Sequence, residues 1–292
     1  MKLCRIGHHY GLLGKNGIVD ITSYVGPLVD REGESKGDPL VAAIPALRRL
    51  GPELTQGLAR WDAVDAAFLS PVAHPSKILA APNNYKAHLE EMRKTAFSTG
   101  ANSGTMEESG FFLKATTSLV GPSEGIAQRF LDRRTDHEVE IVVVIGTMVD
   151  RPVTKEEALN FIAGYSVGLD ITLRGPEERS LRKSIDTYTV LGPFLVTADE
   201  VPDVSALKMQ LSVNGAVRQS TLLSDMLFGA AEQVAFASKY YALYPGDLIY
   251  TGTPSGVGPI RPGDAIDADI ESIGRMHVRV RAFEPAAPPQ RK

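Results

Sequence analysis

Cysteine is almost absent: the 292 residues contain one, Cys4. A single thiol closes no internal disulfide and builds no multi-cysteine zinc site, which points to a reducing compartment, the cytoplasm. Cys4 itself lies in a short apolar–polar stretch and is a poor candidate for a nucleophile. Long apolar runs are missing as well. No window approaches the ~18 uninterrupted apolar residues of a membrane span, and Met1-Lys2-Leu3-Cys4-Arg5 lacks the apolar core of a secretory signal. Nor does one sign of charge prevail. Against 35 Asp plus Glu stand 31 Lys plus Arg, for a net charge of -4, with no long cationic run. Nucleic acid and membrane surfaces are therefore poor partners, and a small molecule is the better one.

What is present suffices for one large domain or a domain with an appendage, since hydrophobic residues make up 43% of the chain. Residues 1–70 read as short strands, over 1–6 and 18–24, plus a small amphipathic helix over 41–50, together a small N-terminal domain without a catalytic cluster. From about Pro75 to residue 283 buried strands become frequent, and the Pro-rich tail 284–292 reads as disordered. The stretch 95–110 is polar, rich in Gly and Ser and without periodicity, as in a mobile loop or lid. Residues 138–147 form the clearest strand, apolar on both faces as when both sides are covered. Thr154 and Glu157 frame a capping box opening a helix that Gly164 would close; 165–172 is another strand. Asn214-Gly215 centres a hairpin over 207–219, and 225–241 has helical spacing. Strands dominate and helices do not alternate with them, so a doubly wound sheet is disfavoured. The fold class is mainly β with flanking helices, α+β.

Three carboxylates stand out. Glu138 and Glu140 are two apart on a strand, so both point to one face, where two side-by-side carboxylates need a shared cation or protons. From spacing alone, a strand beginning in solvent with both glutamates wet is favoured. Asp170, near the end of another strand where carboxylates are depleted, shifts the balance. If the two strands are neighbours, three hard oxygen ligands converge, a set suited to Mg²⁺, Mn²⁺ or Ca²⁺ rather than structural zinc. His88 and Glu91, three apart on a helix, share a face, and a carboxylate beside an imidazole can make a water-activating pair. Taken alone, H-x-x-E is frequent on surface helices. The glycine-rich segment 251–258 follows a strand, yet Pro259 and Pro262 forbid a following helix. It is better suited to holding a carboxylate substrate through backbone and threonines than to cradling a nucleotide.

Together, these segments resemble the fumarylacetoacetate hydrolase family, and their order carries the resemblance. Asn84-Tyr85-Lys86-Ala87-His88-Leu89-Glu90-Glu91 is similar to its NYxxHxxE segment, and Phe112-Leu113-Lys114 with Gly121-Pro122 to its FLK…GP segment. His137-Glu138-Val139-Glu140 through Gly146 resembles the ExE–VIG strand, and Gly164-Tyr165 with Asp170 and Arg174 the GYxxxxDxxxR segment. Lys183-Ser184-Ile185-Asp186 with Gly192-Pro193, then Asn214-Gly215, Pro245-Gly246-Asp247 and Gly252-Thr253-Pro254-Ser255-Gly256 complete the set over residues 75–283.

The resemblance implies a mixed β-sheet roll that forms homodimers or larger homo-oligomers. It implies that Glu138, Glu140 and Asp170 bind Mg²⁺ or Mn²⁺ and that His88 and Glu91 activate water. Lys183 faces the pyruvate enolate as it forms, and Tyr85, Lys114, Arg174, Glu177 and Thr253 contact substrate. The implied reaction is hydrolysis of a C–C bond in an acylpyruvate-type 2,4-dioxo acid, in aromatic or related carbon-compound catabolism. A decarboxylase, hydratase or isomerase of a 2-oxo diacid would use the same site, and a metal-stabilised small-acid binding protein is the non-enzymatic alternative. One departure bears on specificity: Gly175-Pro176-Glu177 follows Arg174 where many relatives have Asp, an apolar residue and Gln.

Overall fold

Strands follow one another from the first residues: β1 (Lys2–Ile6), β2 (His9–Gly14) and β3 (Gly17–Asp20). Beyond a helix over Thr22–Val29 lies helix α1 (Pro39–Leu50), started by Asp38, whose carboxylate accepts from the Leu40 and Val41 amides. The segment that carries the site comprises β4 (Ile78–Ala80), α2 (Lys86–Arg93), β5 (Phe112–Lys114), β6 (Val139–Ile145), β7 (Ile162–Asp170), α3 (Arg179–Lys183) and β8 (Thr189–Thr197). The chain ends with β9 (Lys208–Val213), β10 (Ala216–Leu222), α4 (Ala230–Ala237), β11 (Leu248–Tyr250), β12 (Ala265–Ile270) and β13 (Gly274–Ala282). This computed structural model describes residues 1–29, 37–51, 54, 59–64, 66–93 and 104–285.

The large sheet is mixed and runs β3-β2-β1-β8-β7-β6-β11-β4-β5. Along this path the ladders are antiparallel except at β11–β4, and the short strand Leu119–Val120 also pairs with β8 in parallel. A second sheet, β10-β9-β12-β13, is completed by Ile126–Gln128, parallel to β13. Strand β6 is buried throughout, as its two-sided apolar pattern predicts. Val139, Ile141, Val143 and Ile145 enter one core, while Val142 and Val144 enter the other. At the N-terminal edge, β1 pairs with β8 through Lys2↔Val196, and Leu3 and Leu12 share a core with Ile78, Val142 and Leu195. The architecture is the mainly-β, mixed-sheet α+β fold that the sequence indicated.

Several boundaries differ from the sequence pattern, each for a local reason. The strand expected over 18–24 stops at Asp20, whose carboxylate takes the Thr22 amide at 3.0 Å and hydroxyl at 2.6 Å; a helix, Thr22–Val29, follows. Gly164 lies inside β7 and closes no helix; a Cβ there would meet the Val196 carbonyl at 2.0 Å, so the residue is small to let β8 approach. The helical spacing of 225–241 yields only α4, because Asn84 captures the backbone ahead of it. The Leu227 amide donates to Asn84 O at 2.8 Å and that of Phe228 to Asn84 Oδ1 at 2.9 Å. Of the polar stretch 95–110, residues 95–103 lie outside the described residues. In the remainder Met106–Ser109 is a helical turn whose Glu108 carboxylate accepts from the Thr105 amide at 2.8 Å. Residues 286–292 of the tail also lie outside.

Candidate active site

Strand register builds the carboxylate cluster. The Asp170 amide donates to the Glu138 carbonyl at 2.9 Å, and the ladder continues through Val139↔Leu169 and Glu140↔Gly168. Period two puts Glu138 and Glu140 on one face, and the cross-strand partner of Glu138 is Asp170. Ligand oxygens of all three lie within 4.8 Å of one another, and all three residues are buried.

Buried like charges at this spacing need compensation. Part of it comes from lysines. Lys183 Nζ donates to Glu138 Oε2 at 2.7 Å, Asp170 Oδ2 at 2.6 Å and Thr172 Oγ1 at 2.7 Å. Lys114 Nζ, wholly buried, donates to Asp170 Oδ1 and to the carbonyls of Lys183 and Tyr188. Arg174 reaches Glu138 Oε1 at 3.1 Å through Nη2 and Asp136 Oδ2 at 2.7 Å through Nε. Burial pushes the Glu138 carboxyl up, but the charges of Lys183 and Arg174 outweigh it and hold it well below the usual range. Glu140 is different. It accepts the Gly252 amide at 2.7 Å and makes no ion pair among the described residues. Burial, then the charge of Asp170, pushes its carboxyl well above the usual range. The cluster thus has one carboxylate whose charge the protein leaves unbalanced. Three hard oxygens with no nitrogen or sulfur ligand fit Mg²⁺ or Mn²⁺, with Ca²⁺ also admissible. Glu138, Glu140 and Asp170 would hold the ion.

On α2, His88 Nδ1 lies 3.1 Å from Glu91 Oε2. An ionised carboxylate only accepts, so Nδ1 carries the proton and Nε2 is left as the basic nitrogen. Glu91 also accepts from the Gly256 amide, at 3.1 Å and 3.3 Å to its two oxygens. Burial opposes ionisation of Glu91, yet its hydrogen bonds from His88 and Gly256 prevail and keep it below the ordinary glutamate value. The glycine-rich loop therefore serves the protein's own carboxylates: Gly252 N–H goes to Glu140 and Gly256 N–H to Glu91. Gly252 sits at φ +94°, and a Cβ there would lie 2.7 Å from the Asn84 Cβ. Asn84 Nδ2 anchors the loop by donating to Thr251 O at 2.7 Å. The Thr253 hydroxyl donates to Val139 O at 2.9 Å.

One cavity, of about 50 Å³, is lined by His88, the three carboxylates, Arg174, Lys183 and Thr253. That is room for about four waters at ~10–15 Å³ each. Glu91 stands behind His88, and Tyr85, Lys114 and Glu177 do not line the cavity. The Tyr85 hydroxyl is buried without a hydrogen-bond partner among the described residues and, chiefly by burial, is pushed well above the usual tyrosine range. Lys114 braces Asp170 from within the core. Glu177 is held by Arg133 at 2.8 Å and 2.7 Å, so its charge is already matched. The wall also includes Phe112, quoted above only as part of a motif, and Arg179 and Arg182, which were not picked out in the sequence. The available signal was the i, i+3 spacing of the two arginines just ahead of Lys183.

With this geometry established, the family comparison decides the class. The model of the fumarylacetoacetate (FAA) hydrolase C-terminal domain matches residues 77–281. The chain belongs to the fumarylacetoacetate hydrolase family. Within it, a maleylpyruvate hydrolase of Aquipseudomonas alcaligenes is 46% identical over 287 residues, covering 97% of this chain and all of that protein. The crystal structure of a family member, maleylpyruvate hydrolase from Sphingobium sp. SYK-6 in complex with manganese(II) ion and pyruvate, is similar at TM-score 0.81 and 32% identity. The match covers 97% of this chain and 100% of that one. The mitochondrial oxaloacetate tautomerase FAHD2A of Bos taurus is 32% identical over 285 residues, 92% of this chain and 86% of the relative. No helix among the described residues is long and apolar enough to cross a membrane.

Proposed function

We propose that this chain is a divalent-metal-dependent hydrolase that cleaves the C–C bond of an acylpyruvate, releasing pyruvate and a carboxylic acid, in the catabolism of aromatic or related carbon compounds. The observation that carries this is the His88–Glu91 pair in the same small site as the three clustered carboxylates and Lys183. The 46% identity to a maleylpyruvate hydrolase supports the same reading. When bound, Mg²⁺ or Mn²⁺ supplies Lewis acidity toward the 2-oxo acid end of the substrate.

The protein's own groups do the rest. Glu91 fixes the His88 ring through Nδ1–H, so Nε2 takes a proton from water as the water oxygen attacks the distal carbonyl. The C–C bond then breaks with its electron pair on the pyruvate fragment. Lys183 Nζ offsets the developing negative charge. The proton held at His88 Nε2 returns to the pyruvate carbon, closing the balance at one water consumed. Arg174 and Thr253, on the cavity wall, orient the substrate. Residues 1–70 are proposed as the small N-terminal domain beside the catalytic segment 75–283. The protein is proposed to work in the cytoplasm as a homodimer. The exposed Val217 and Leu222 on β10, an edge strand, support self-association.

A second reading, isomerisation or decarboxylation of a 2-oxo diacid at the same site, is favoured by the similarity to an oxaloacetate tautomerase. A substrate panel separates the two. Acylpyruvates and oxaloacetate are supplied with Mn²⁺, Mg²⁺ or chelator, and pyruvate release and enol–keto exchange are followed. Metal-dependent pyruvate release from acylpyruvates is the expected result. Turnover of oxaloacetate alone would replace hydrolysis by the second reading.

A further inference from the structure

The cavity has a second charge imbalance, opposite in sign to that of Glu140 and on a different element. Helix α3 brings Arg179, Arg182 and Lys183 to the cavity wall, as the i, i+3 and i, i+4 spacing from Arg179 requires. Lys183 is neutralised by Glu138 and Asp170, and Arg174 by Asp136 and Glu138. Neither Arg179 nor Arg182 makes a direct ion pair among the described residues. Arg182 is buried and, among the described residues, donates to two carbonyls, Glu177 O at 2.8 Å and Leu173 O at 3.1 Å. The Arg179 guanidinium lies 5.4 Å from the centroid of the Phe112 ring and makes no ion pair among the described residues. Glu177 and Glu178, the nearest carboxylates in sequence, are engaged elsewhere: Glu177 by Arg133, and Glu178 by the Ser180 amide at 2.6 Å. Both guanidinium groups are held below the ordinary arginine value, first by burial and then by repulsion, from Arg182 on Arg179 and from Arg174 on Arg182, which outweigh the more distant charge of Glu138.

Two cations in a partly desolvated wall, one stacked on an aromatic face and neither matched by a carboxylate, form a receptor for an anion. The three carboxylates cannot be that anion, since their protein partners are Lys183, Lys114, Arg174 and the Gly252 amide. We propose that Arg179 and Arg182 form the subsite for a second carboxylate, at the acyl end of the substrate, and so select dicarboxylic acylpyruvates over monocarboxylic ones. The assignment rests on the hydrolase reading above and adds to it the residues that set specificity. A planar guanidinium offers two parallel N–H donors to a carboxylate, which an ammonium cannot do.

The test compares maleylpyruvate with acetylpyruvate, which lacks the second carboxylate, using Mn²⁺-loaded wild-type, Arg179→Met, Arg182→Met and Arg179→Lys proteins. The readout is the ratio of kcat/KM between the two substrates. Loss of one charge-assisted contact is expected to lower that ratio about 10–100-fold in Arg179→Met, mainly through KM for the dicarboxylate. Arg179→Lys should recover part of it, because charge is kept while the paired donors are lost. Arg182→Met tests the second cation; its melting temperature is recorded because Arg182 also holds two carbonyls. A ratio unchanged in both Met variants, or equal losses on both substrates, overturns the subsite. Failure of the hydrolase reading looks different: wild-type protein releases no pyruvate from either substrate. Calorimetric binding of maleate to the Mn²⁺-loaded protein then decides the subsite by itself. Weaker maleate binding in Arg179→Met supports it, and equal binding in wild type and variant overturns it.

Discussion

Replacing Glu140 by Gln should stabilise the metal-free protein while weakening its response to metal, two effects of opposite sign from one oxygen-to-nitrogen change. Glu140 is buried, its hydrogen-bond partner among the described residues is the Gly252 amide, and a ligand oxygen on it lies within 4.8 Å of one on Glu138 and one on Asp170. At that distance, and at the effective dielectric of about 20 that suits protein sites, two like charges repel by about 3 kcal/mol. Lys183 offsets part of this, as does protonation of Glu140 itself, so about 1–3 kcal/mol should be recovered on removing the charge. The glutamine carbonyl can still accept from Gly252. For a chain of this size the gain corresponds to about 2–6 °C in melting temperature in the presence of chelator.

The effect should depend on pH in a stated direction. The folded-state value of Glu140 is raised, so the folded protein binds the extra proton. Stability in chelator is therefore retained at low pH and lost as pH rises from the ordinary glutamate value through the raised one. Glu140→Gln removes that loss, and the gap between variant and wild type should widen toward alkaline pH. Metal reverses the order. At Mn²⁺ near 100 times its dissociation constant the wild type gains about 2.7 kcal/mol, and the variant, with a ligand missing, gains less. Urea unfolding at pH 6 and pH 8, with chelator and with Mn²⁺, measures all four quantities. A variant less stable than wild type in chelator at pH 8, with an unchanged m-value, would refute the charge argument.

Three further outcomes are expected. His88→Ala should lower acylpyruvate hydrolysis by about 10²–10⁴ in kcat with little change in melting temperature, while any oxaloacetate decarboxylation survives; proportional loss of both activities would remove the base role. Lys114→Met leaves an oxygen of buried Asp170 and the carbonyl of Lys183 without the donor that Lys114 supplies, and should cost about 3–5 kcal/mol by urea unfolding; a loss under 1 kcal/mol would refute the buried pairing. Gly164→Ala puts a methyl group 2.0 Å from the Val196 carbonyl and should cost about 3 kcal/mol or more, seen as a lower denaturation midpoint.

The carboxylate cluster was only partly legible in the sequence: spacing alone favoured two wet glutamates, and the order of the family motifs carried the expectation of a metal site. The two-residue spacing of Glu138 and Glu140 sets their face and the apolar runs around Val142 and Val167 mark two buried strands, but that these are neighbours is seen only in the Val139↔Leu169 ladder. What sequence spacing could not reveal is which wall each remaining motif residue faces. Lys114 and Tyr85 belong to recognisable motifs, yet β5 and the turn before α2 bury both side chains. Arg179 and Arg182 look like an ordinary charged stretch until α3 is seen beside the sheet. The glycine-rich loop was expected to hold a carboxylate substrate through its backbone and threonines. Its main clients proved to be Glu140 and Glu91, because Asn84 ties it to the backbone ahead of α4. The same tether shortened the helix expected over 225–241. These are long-range contacts, 144 residues apart for Asn84 and Phe228, and no local pattern encodes them.

Taken together, the two imbalances predict that metal and dicarboxylate binding are coupled. Glu140 awaits a cation, and Arg179 and Arg182 await an anion in the same cavity. A divalent ion on the three carboxylates screens their negative field, so the arginines act on an incoming carboxylate with less opposition. By thermodynamic linkage the dicarboxylate must then raise metal affinity by the same factor. Maleate is the right probe, because it lacks the 2-oxo group that would chelate the metal directly. A coupling of about 1–3 kcal/mol, some 5–150-fold, is typical of linked sites. Calorimetric titration with Mn²⁺, with and without saturating maleate, should show that tightening in wild type and a smaller one in Arg179→Met. An Mn²⁺ affinity indifferent to maleate would mean that the two charge imbalances act independently, and that the arginines sense only the substrate.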